Sequence, residues 1–215
     1  MEQLYNSTIA AISTAMSNSG IGIVRMSGPE AFQIADRVYK GKKEKKLCDQ
    51  KSHTIHYGYI VDGEQVIDEV LVMLMRGPHS YTGEDTVEIN CHGGVYVVKR
   101  ILELLIKNGA RPAEPGEYTK RAFLNGRLDL SQAEAVGDLI ASQNEYALQS
   151  SVSQLKGNIK DKISEMREKI LYHTAFIETA LDDPEHISVD GYGETLKKVV
   201  DEIMEAMKRL LDSCD

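Results

Sequence analysis

The segment 80–94, SYTGEDTVEINCHGG, brings three chemically versatile side chains together. The carboxylate of Glu88, the thiol of Cys91 and the imidazole of His92 lie within five residues, and two glycines follow. This combination is compatible with a metal site, a nucleophile with its base, a phosphate-binding turn, or a strand that runs into a helix. The choice depends on which side chains share a face of the local structure.

The residues TVEINCHGG are typical of a β-strand that ends at a glycine turn. Alternation of period two gives the strand an apolar face and a polar face, with Val87, Ile89 and Cys91 on the first and Glu88, Asn90 and His92 on the second. We interpret Cys91 as a small buried hydrophobe. Because Cys91 and His92 diverge, and no HxxxH or CxxC motif occurs elsewhere, we expect no metal site.

Glu88 needs an explanation, because a carboxylate in the middle of an apolar strand is costly to bury without a partner. One explanation is a neighbouring Arg or Lys. The other is a ligand with adjacent N–H donors, since an ionised carboxylate accepts two parallel hydrogen bonds from an amidine-like edge such as that of guanine or a pterin. Both explanations remain open from the residues alone.

Two arginines are further candidates for ligand binding. Arg25 lies in the strand-like run GIVRMSG, and Arg127 lies in a turn before a helix, in FLNGRLDLSQAEA. Each could instead pair with a surface acid. The turn His92-Gly93-Gly94 is only a weak indication of an anion site, and no GxxxxGK[ST] motif occurs in the sequence, so P-loop NTPase chemistry is not expected of these residues.

Up to about residue 112, the elements that position these residues are predicted to be both strands and helices. Short strand-like runs alternate with two helical segments, the first of which, PEAFQIADRVYKG, is predicted to end at Gly41. A hairpin is predicted through Asp62-Gly63. The Lys-rich run GKKEKKLCDQKS is interpreted as a solvated loop, with nucleic-acid binding as the alternative.

Strand signals disappear after RPAEPGEYT, and the rest of the sequence has helical periodicity. We therefore predict an α+β domain over residues 1–118 and an all-α helical bundle over residues 119–215. Within the bundle, the apolar stripe from Glu145 to Leu181 predicts one long helix, and a final helix follows the break DDPEHISVDGYG.

Composition limits the class of protein. The formal net charge of −8 argues against a protein that coats nucleic acid, although a local basic patch remains possible. The three cysteines, Cys48, Cys91 and Cys214, are widely spaced and odd in number, which fits a reducing compartment without a disulfide framework. The N-terminal residues lack the features of a leader, and no apolar run is long enough for a membrane span, so a soluble cytoplasmic protein is expected.

Three segments, in order and at family spacing, carry a specific resemblance: TIAAISTAMSNSGIGIVRMSG, GPHSYTGEDTVEINCHGG and RPAEPGEYTKRAFLNGRLDLSQAEAVGDLI. They resemble the N-terminal part of the tRNA-modification GTPase family called MnmE or TrmE. The resemblance implies an α/β domain similar to the tetrahydrofolate-binding domain of aminomethyltransferases, which mediates homodimerisation. A helical domain follows, into which a G domain is inserted.

The resemblance also implies a function. Together with an FAD-dependent MnmG-type partner, the family modifies C5 of the wobble uridine in certain tRNAs, using a folate one-carbon unit and GTP. Carried over by position, its 5-formyl-tetrahydrofolate contacts fall on Arg25, Glu88 and Arg127. The implied roles are that Glu88 holds the amino-pyrimidine edge of the pterin, while the two arginines donate to oxygens of the folate. No catalytic residue is assigned.

The sequence also departs from the family pattern. No nucleotide-binding motif is present, and the terminal SCD does not reproduce the family's Cys-x-Gly-Lys tail. The resemblance thus implies that GTP, K⁺ and Mg²⁺ bind in a G domain that these residues do not include, and that folate binding and dimerisation remain. Two rival hypotheses are a stand-alone folate-dependent one-carbon transferase and a pure dimerisation or assembly module.

Overall fold

The computed structural model describes residues 7–41, 45–183 and 189–212. The chain divides into two compact units, Met1–Ala133 and Glu134–Asp215. Strands occur only in the first unit among the described residues, so an α+β region is followed by a helical region. No helix within the described ranges is long and apolar enough to cross a membrane.

The first unit is built on a sheet that contains seven strands within the described residues. The strands are β1 (Ile9–Ile12), β2 (Ser19–Ser27), β3 (Tyr39–Gly41), β4 (Thr54–Asp62), β5 (Gln65–Met75), β6 (Thr86–Gly93) and β7 (Arg111–Pro112). Their spatial order is β3-β4-β5-β6-β2-β1-β7. Every neighbouring pair is antiparallel except β1 and β7, which run parallel.

Two helices, α1 (Ala31–Val38) and α2 (Val95–Lys107), cover one face of this sheet. Alternate strand residues such as Val72, Val87 and Ile89 are fully buried beneath them, and Ile101 and Leu105 of α2 are equally buried. The other face of the sheet remains partly open, as Leu71 is 46 % exposed. Alternation along β6 thus places Cys91 in the core and Glu88 on the open face, which confirms the predicted division of this strand.

The hairpin prediction is confirmed. Strands β4 and β5 pair up to Asp62 and Gln65, and Gly63 adopts a positive φ of 64° in the connection. Glycine tolerates this left-handed conformation because it has no Cβ.

The predicted end of the first helix is wrong. Helix α1 ends at Val38, and Tyr39–Gly41 form the edge strand β3 because Lys40 pairs with Tyr59 of β4. The Lys-rich run that follows contains a short 3₁₀ helix, Leu47–Asp49, while residues 42–44 lie outside the described ranges.

The long helix predicted from Glu145 is two helices, α5 (Glu145–Leu155) and α6 (Asn158–Asp182). Gly157 separates them with a φ of 79°, a left-handed conformation that ends a helix despite the continuous apolar stripe. The break predicted over residues 182–193 falls partly outside the described ranges, as does Cys214.

The remaining helices are α3 (Glu117–Leu124), α4 (Leu130–Ala141) and α7 (Tyr192–Asp212). The first compact unit extends beyond residue 118, where the sequence predicts the domain boundary, and includes α3. The physical reason is that Tyr118 and Arg121 of this helix form hydrogen bonds with residues of the first unit, Arg25 and Glu84. In the second unit, α6 packs against both α5 and α7.

Candidate functional site

The candidate site begins with an ion pair across two neighbouring strands. Arg25 of β2 and Glu88 of β6 are direct register partners on the open face of the sheet. The Nε and Nη2 atoms of Arg25 lie 2.7 and 2.6 Å from the same carboxylate oxygen, Oε1 of Glu88. The Glu88 side chain is 14 % exposed and that of Arg25 is 27 % exposed. Pairing with an arginine therefore explains how the strand accommodates this carboxylate.

The second oxygen of Glu88 is available. Within the described residues, no hydrogen bond to Oε2 of Glu88 is present, whereas Oε1 accepts both bonds from Arg25. The pair therefore leaves carboxylate capacity for a ligand, and the two explanations for Glu88 are compatible with each other.

Two tyrosines surround the guanidinium group of Arg25. Its Cζ atom lies 5.7 Å from the ring centroid of Tyr81 and 5.6 Å from that of Tyr118. Both distances are within the range of cation–π attraction. The Tyr118 hydroxyl donates to the backbone oxygen of Arg25 at 2.7 Å, and burial raises the pKa of this tyrosine above its ordinary value. The orientation of Arg25 is thus fixed from both its backbone and its side chain.

Arg127 reaches the same tyrosine from a third segment. Its Cζ atom lies 5.5 Å from the centroid of the Tyr81 ring. Gly126 adopts a φ of 71° after helix α3, and the Arg127 N–H then donates to the Ala122 oxygen, which ends the helix and turns the chain. The structure therefore brings Arg25 and Arg127 to the ring of Tyr81, and Glu88, the third residue singled out in the sequence, joins them through its ion pair with Arg25.

The first unit also contains a buried ion network that the sequence did not predict. Arg121 of α3 is only 2 % exposed, and its Nη1 atom lies 3.1 Å from both carboxylate oxygens of Glu84. Its Nη2 atom donates to Glu117 at 3.0 Å, and Arg111 donates to the same carboxylate. Ser27 of β2 completes the network with a 2.7 Å hydrogen bond to Glu84. These contacts join α3, the loop before β6 and the sheet.

The network controls the ionisation of Glu117. Burial alone would raise the pKa of this carboxyl, but hydrogen bonds from Arg111, the Glu114 N–H and Arg121 outweigh it and lower the pKa to about 2. The spacing of Glu117 and Arg121, four residues apart in GEYTKR, is the one local signal in the sequence for this network.

Cys91 and His92 do not join the site. Cys91 is 5 % exposed, its Sγ donates to the Gly22 oxygen at 3.3 Å, and burial raises its thiol pKa to about 11. His92 is exposed, and its Nδ1 atom lies 2.7 Å from Oδ1 of Asp68. The hydrogen bond to Asp68 and the charge of this carboxylate raise the pKa of the imidazole. No group of three or more His, Cys, Asp or Glu side chains able to hold a metal occurs within the described ranges.

The chemistry of the site suits a flat, polar ring with an anionic tail. Glu88 offers an acceptor for adjacent N–H donors, Tyr81 offers an aromatic face, and Arg25 and Arg127 offer cationic donors. This set is complementary to a planar ring with adjacent N–H donors and to a separate anionic group. No pair of groups in it is arranged as a nucleophile with its base.

Comparison with known proteins identifies both parts of the chain. A family model described as GTP-binding protein TrmE N-terminus matches residues 8–127, and one described as MnmE helical domain matches residues 130–215.

Several similar proteins are named tRNA modification GTPase MnmE. The chain is 56 % identical to that of Lachnoclostridium phytofermentans over 204 residues, which cover 94 % of this chain and 44 % of the relative. It is 51 % identical to that of Bacillus pumilus and 48 % identical to that of Bacillus subtilis, each over 208 residues that cover 96 % of this chain and 45 % of the relative. The chain thus spans about half the length of these curated relatives.

Proposed function

Because this chain belongs to the MnmE (TrmE) family of tRNA-modification GTPases, we propose that its first compact unit binds 5-formyl-tetrahydrofolate with the pterin ring at Glu88. The observation that carries the proposal is that Arg25 and Arg127 meet at the ring of Tyr81 while Glu88 pairs with Arg25, so that three distant segments contribute to one site. A purely structural ion pair between Arg25 and Glu88 does not require Arg127. A ligand that needs an acceptor, an aromatic face and a second cation does.

Each side chain has a defined task in this proposal. Glu88 accepts from the 2-amino and ring N–H groups of the pterin through its available oxygen, while Arg25 orients the carboxylate. Arg127 lies on an exposed turn and donates to the carboxylates of the folate tail. Bound folate supplies the one-carbon unit, and the chain's residues bind and orient it.

The wider activity is proposed from the family. The protein acts in tRNA modification at C5 of the wobble uridine, in the cytoplasm and with an FAD-dependent MnmG-type partner. GTP hydrolysis and the binding of K⁺ and Mg²⁺ are assigned to the part of the relatives that this chain does not span, since its sequence contains no P-loop motif. An aminomethyltransferase-like fold of the first unit belongs to the same proposal.

We further propose that the first unit forms a homodimer. Apolar surface is exposed on the open face of the sheet at the start of β2, where the side chain of Ile21 is 64 % exposed. Burial of such side chains against a second copy is favourable because it removes apolar surface from water.

Calorimetric titration of 5-formyl-tetrahydrofolate tests the binding proposal. Glu88→Gln keeps the shape of the side chain but removes the charge, so folate affinity should fall about 10- to 100-fold, the range expected for a charge-assisted pair. Glu64→Gln is the matched control, because Glu64 is exposed in the β4–β5 connection and should leave affinity unchanged.

Other outcomes identify the rival functions. Absence of binding to the wild-type chain even at millimolar folate would favour a dimerisation or assembly module. Turnover of a folate one-carbon donor by this chain alone would favour a stand-alone transferase.

A further inference from the structure

The segment from residue 37 to residue 57, which contains β3, the start of β4 and the connection between them, has a charge opposite to that of the rest of the chain. Residues 37–57 contain seven Lys and Arg against two Asp and Glu, although the whole chain has a net charge of −8. Four of these lysines are described and exposed: Lys40, Lys45, Lys46 and Lys51. We call these four residues the lysine cluster. None of them forms an ion pair within the described part of the chain.

Hydrogen bonds fix the backbone that carries the cluster. Asp36 accepts from the N–H groups of Leu47 and Cys48 at 2.5 and 3.1 Å, and Arg76 donates to the Cys48 and Gln50 oxygens. Leu47 is 1 % exposed and anchors the segment in the core. The carboxylate of Asp36 is thereby engaged by backbone donors, and the lysines extend from an anchored scaffold.

Aromatic side chains lie beside these charges. A cleft of about 300 Å³ is lined by Lys45, His56, Tyr39 and Tyr57 together with apolar neighbours. Lys40 is the register partner of Tyr59 and therefore shares its face of the sheet. The rings of Tyr57 and Tyr59 lie 6.3 Å apart, and Tyr57 is 43 % exposed.

We propose that the lysine cluster and Tyr57 form a contact surface for RNA, in which the lysines bind successive backbone phosphates and the tyrosine ring stacks on an unpaired base. This inference rests on the proposed role in tRNA modification for the choice of polyanion. Unpaired cations beside an exposed aromatic ring are the combination that binds single-stranded nucleic acid. Because the chain is acidic overall, binding occurs through this local patch and depends strongly on salt.

Fluorescence anisotropy of a labelled tRNA transcript, measured with the full chain from about 50 to 300 mM KCl, tests the proposal. Each lysine–phosphate contact contributes about 0.7 to 0.9 to the slope of log affinity against log salt. The variant Lys40→Gln/Lys45→Gln/Lys46→Gln/Lys51→Gln should therefore flatten the slope by about 3 and weaken binding more than tenfold at low salt. Tyr57→Leu should weaken binding about tenfold and leave the slope unchanged.

A matched control carries the same change of charge elsewhere. The variant Lys162→Gln/Lys197→Gln/Lys198→Gln/Lys208→Gln alters four exposed lysines of the second unit and should retain the wild-type slope. Equal slopes for the cluster variant and the wild type would overturn the proposal, as would absence of RNA binding by the wild type at the lowest salt. If the cluster variant lost the wild-type binding to vesicles containing phosphatidylglycerol but retained RNA binding, the proposal would be overturned in favour of a membrane surface.

Folate titration of the cluster variant separates this inference from the proposed folate site. The variant should keep the wild-type folate affinity, because its four positions lie away from Glu88. If the wild type binds no folate but the RNA slopes differ as expected, the folate site fails and the RNA surface stands. If the wild type binds folate but the cluster variant and the wild type have equal salt slopes, the RNA surface fails and the folate site stands.

Discussion

Arg127 provides a test of the folate tail. Arg127→Gln should lower the affinity for 5-formyl-tetrahydrofolate about tenfold, because a charge-assisted hydrogen bond is lost. The melting temperature should not change, since this side chain is exposed. Calorimetry and thermal unfolding check the two expectations. An unchanged affinity would remove Arg127 from the site.

The ion pair of Glu88 joins two residues that are distant in the sequence. Alternation along TVEINCHG correctly placed Glu88 on the opposite face from Cys91, because the period of a strand is a local property. The partner of Glu88 could not be identified in this way, since Arg25 lies 63 residues earlier and is brought close by strand pairing. The network around Arg121 was missed for the same reason, as Glu84 lies 37 residues away.

Glu117 makes stability depend on pH in a defined direction. Its pKa falls from an ordinary 4.5 to about 2 in the folded chain, so its contribution is complete above pH 4.5 and is lost as pH falls towards 2. Urea unfolding at pH 7 should show that Glu117→Gln costs on the order of 3 kcal/mol, a value that follows from the pKa difference.

The difference between wild type and Glu117→Gln should shrink below about pH 4 as the native carboxyl becomes protonated. Glu64→Gln, with an exposed side chain, should track the wild type throughout. A difference that stayed constant from pH 7 to pH 3 would show that the charge of Glu117 is not the cause.

At the scale of secondary-structure elements, the sequence predicted whether a segment is a helix or a strand better than it predicted where that segment begins and ends. Helix α2 and the β4–β5 hairpin follow from strong local patterns. Strand β3 was predicted as the end of a helix because its identity depends on pairing with β4, and the break at Gly157 interrupts an apolar stripe that suggests continuity. The left-handed conformation of Gly157 ends the helix even though the apolar periodicity continues past it.

Close packing of β2 on α2 gives a test at this scale. A Cβ on Gly22 would overlap the Cγ1 atom of Val98, which belongs to α2, and would press on the Gly93 backbone. Gly22→Ala should therefore destabilise the chain by about 1–3 kcal/mol in urea unfolding. Gly20→Ala is the control, because a Cβ there meets nothing within 4 Å. Equal stability of the two variants would contradict the packing described for β2.

At the scale of the whole molecule, two compact units follow one another along the chain. The sequence predicted this organisation from the loss of strand signals. It placed the boundary at residue 118, whereas the first compact unit includes α3, because the ion pairs of Arg121 are invisible to a periodicity argument.

Assembly is the prediction that belongs to the molecule as a whole. Sedimentation at tens of micromolar should give the mass of a dimer, and Ile21→Asp should shift it towards monomer because a charge then replaces an exposed apolar side chain on the open face. Lys99→Asp, which changes an exposed residue on the helical side of the sheet, should leave the dimer intact. A strictly monomeric wild type would remove the proposed homodimer.

A crystal structure of the chain grown with 5-formyl-tetrahydrofolate tests the central claim most directly. We expect a pterin ring beside Tyr81, with its amino and ring nitrogens within hydrogen-bond distance of the Glu88 carboxylate and its tail directed towards Arg127. Folate bound at another place, or a site around Glu88 that stays empty at saturating folate, would overturn the proposed folate site.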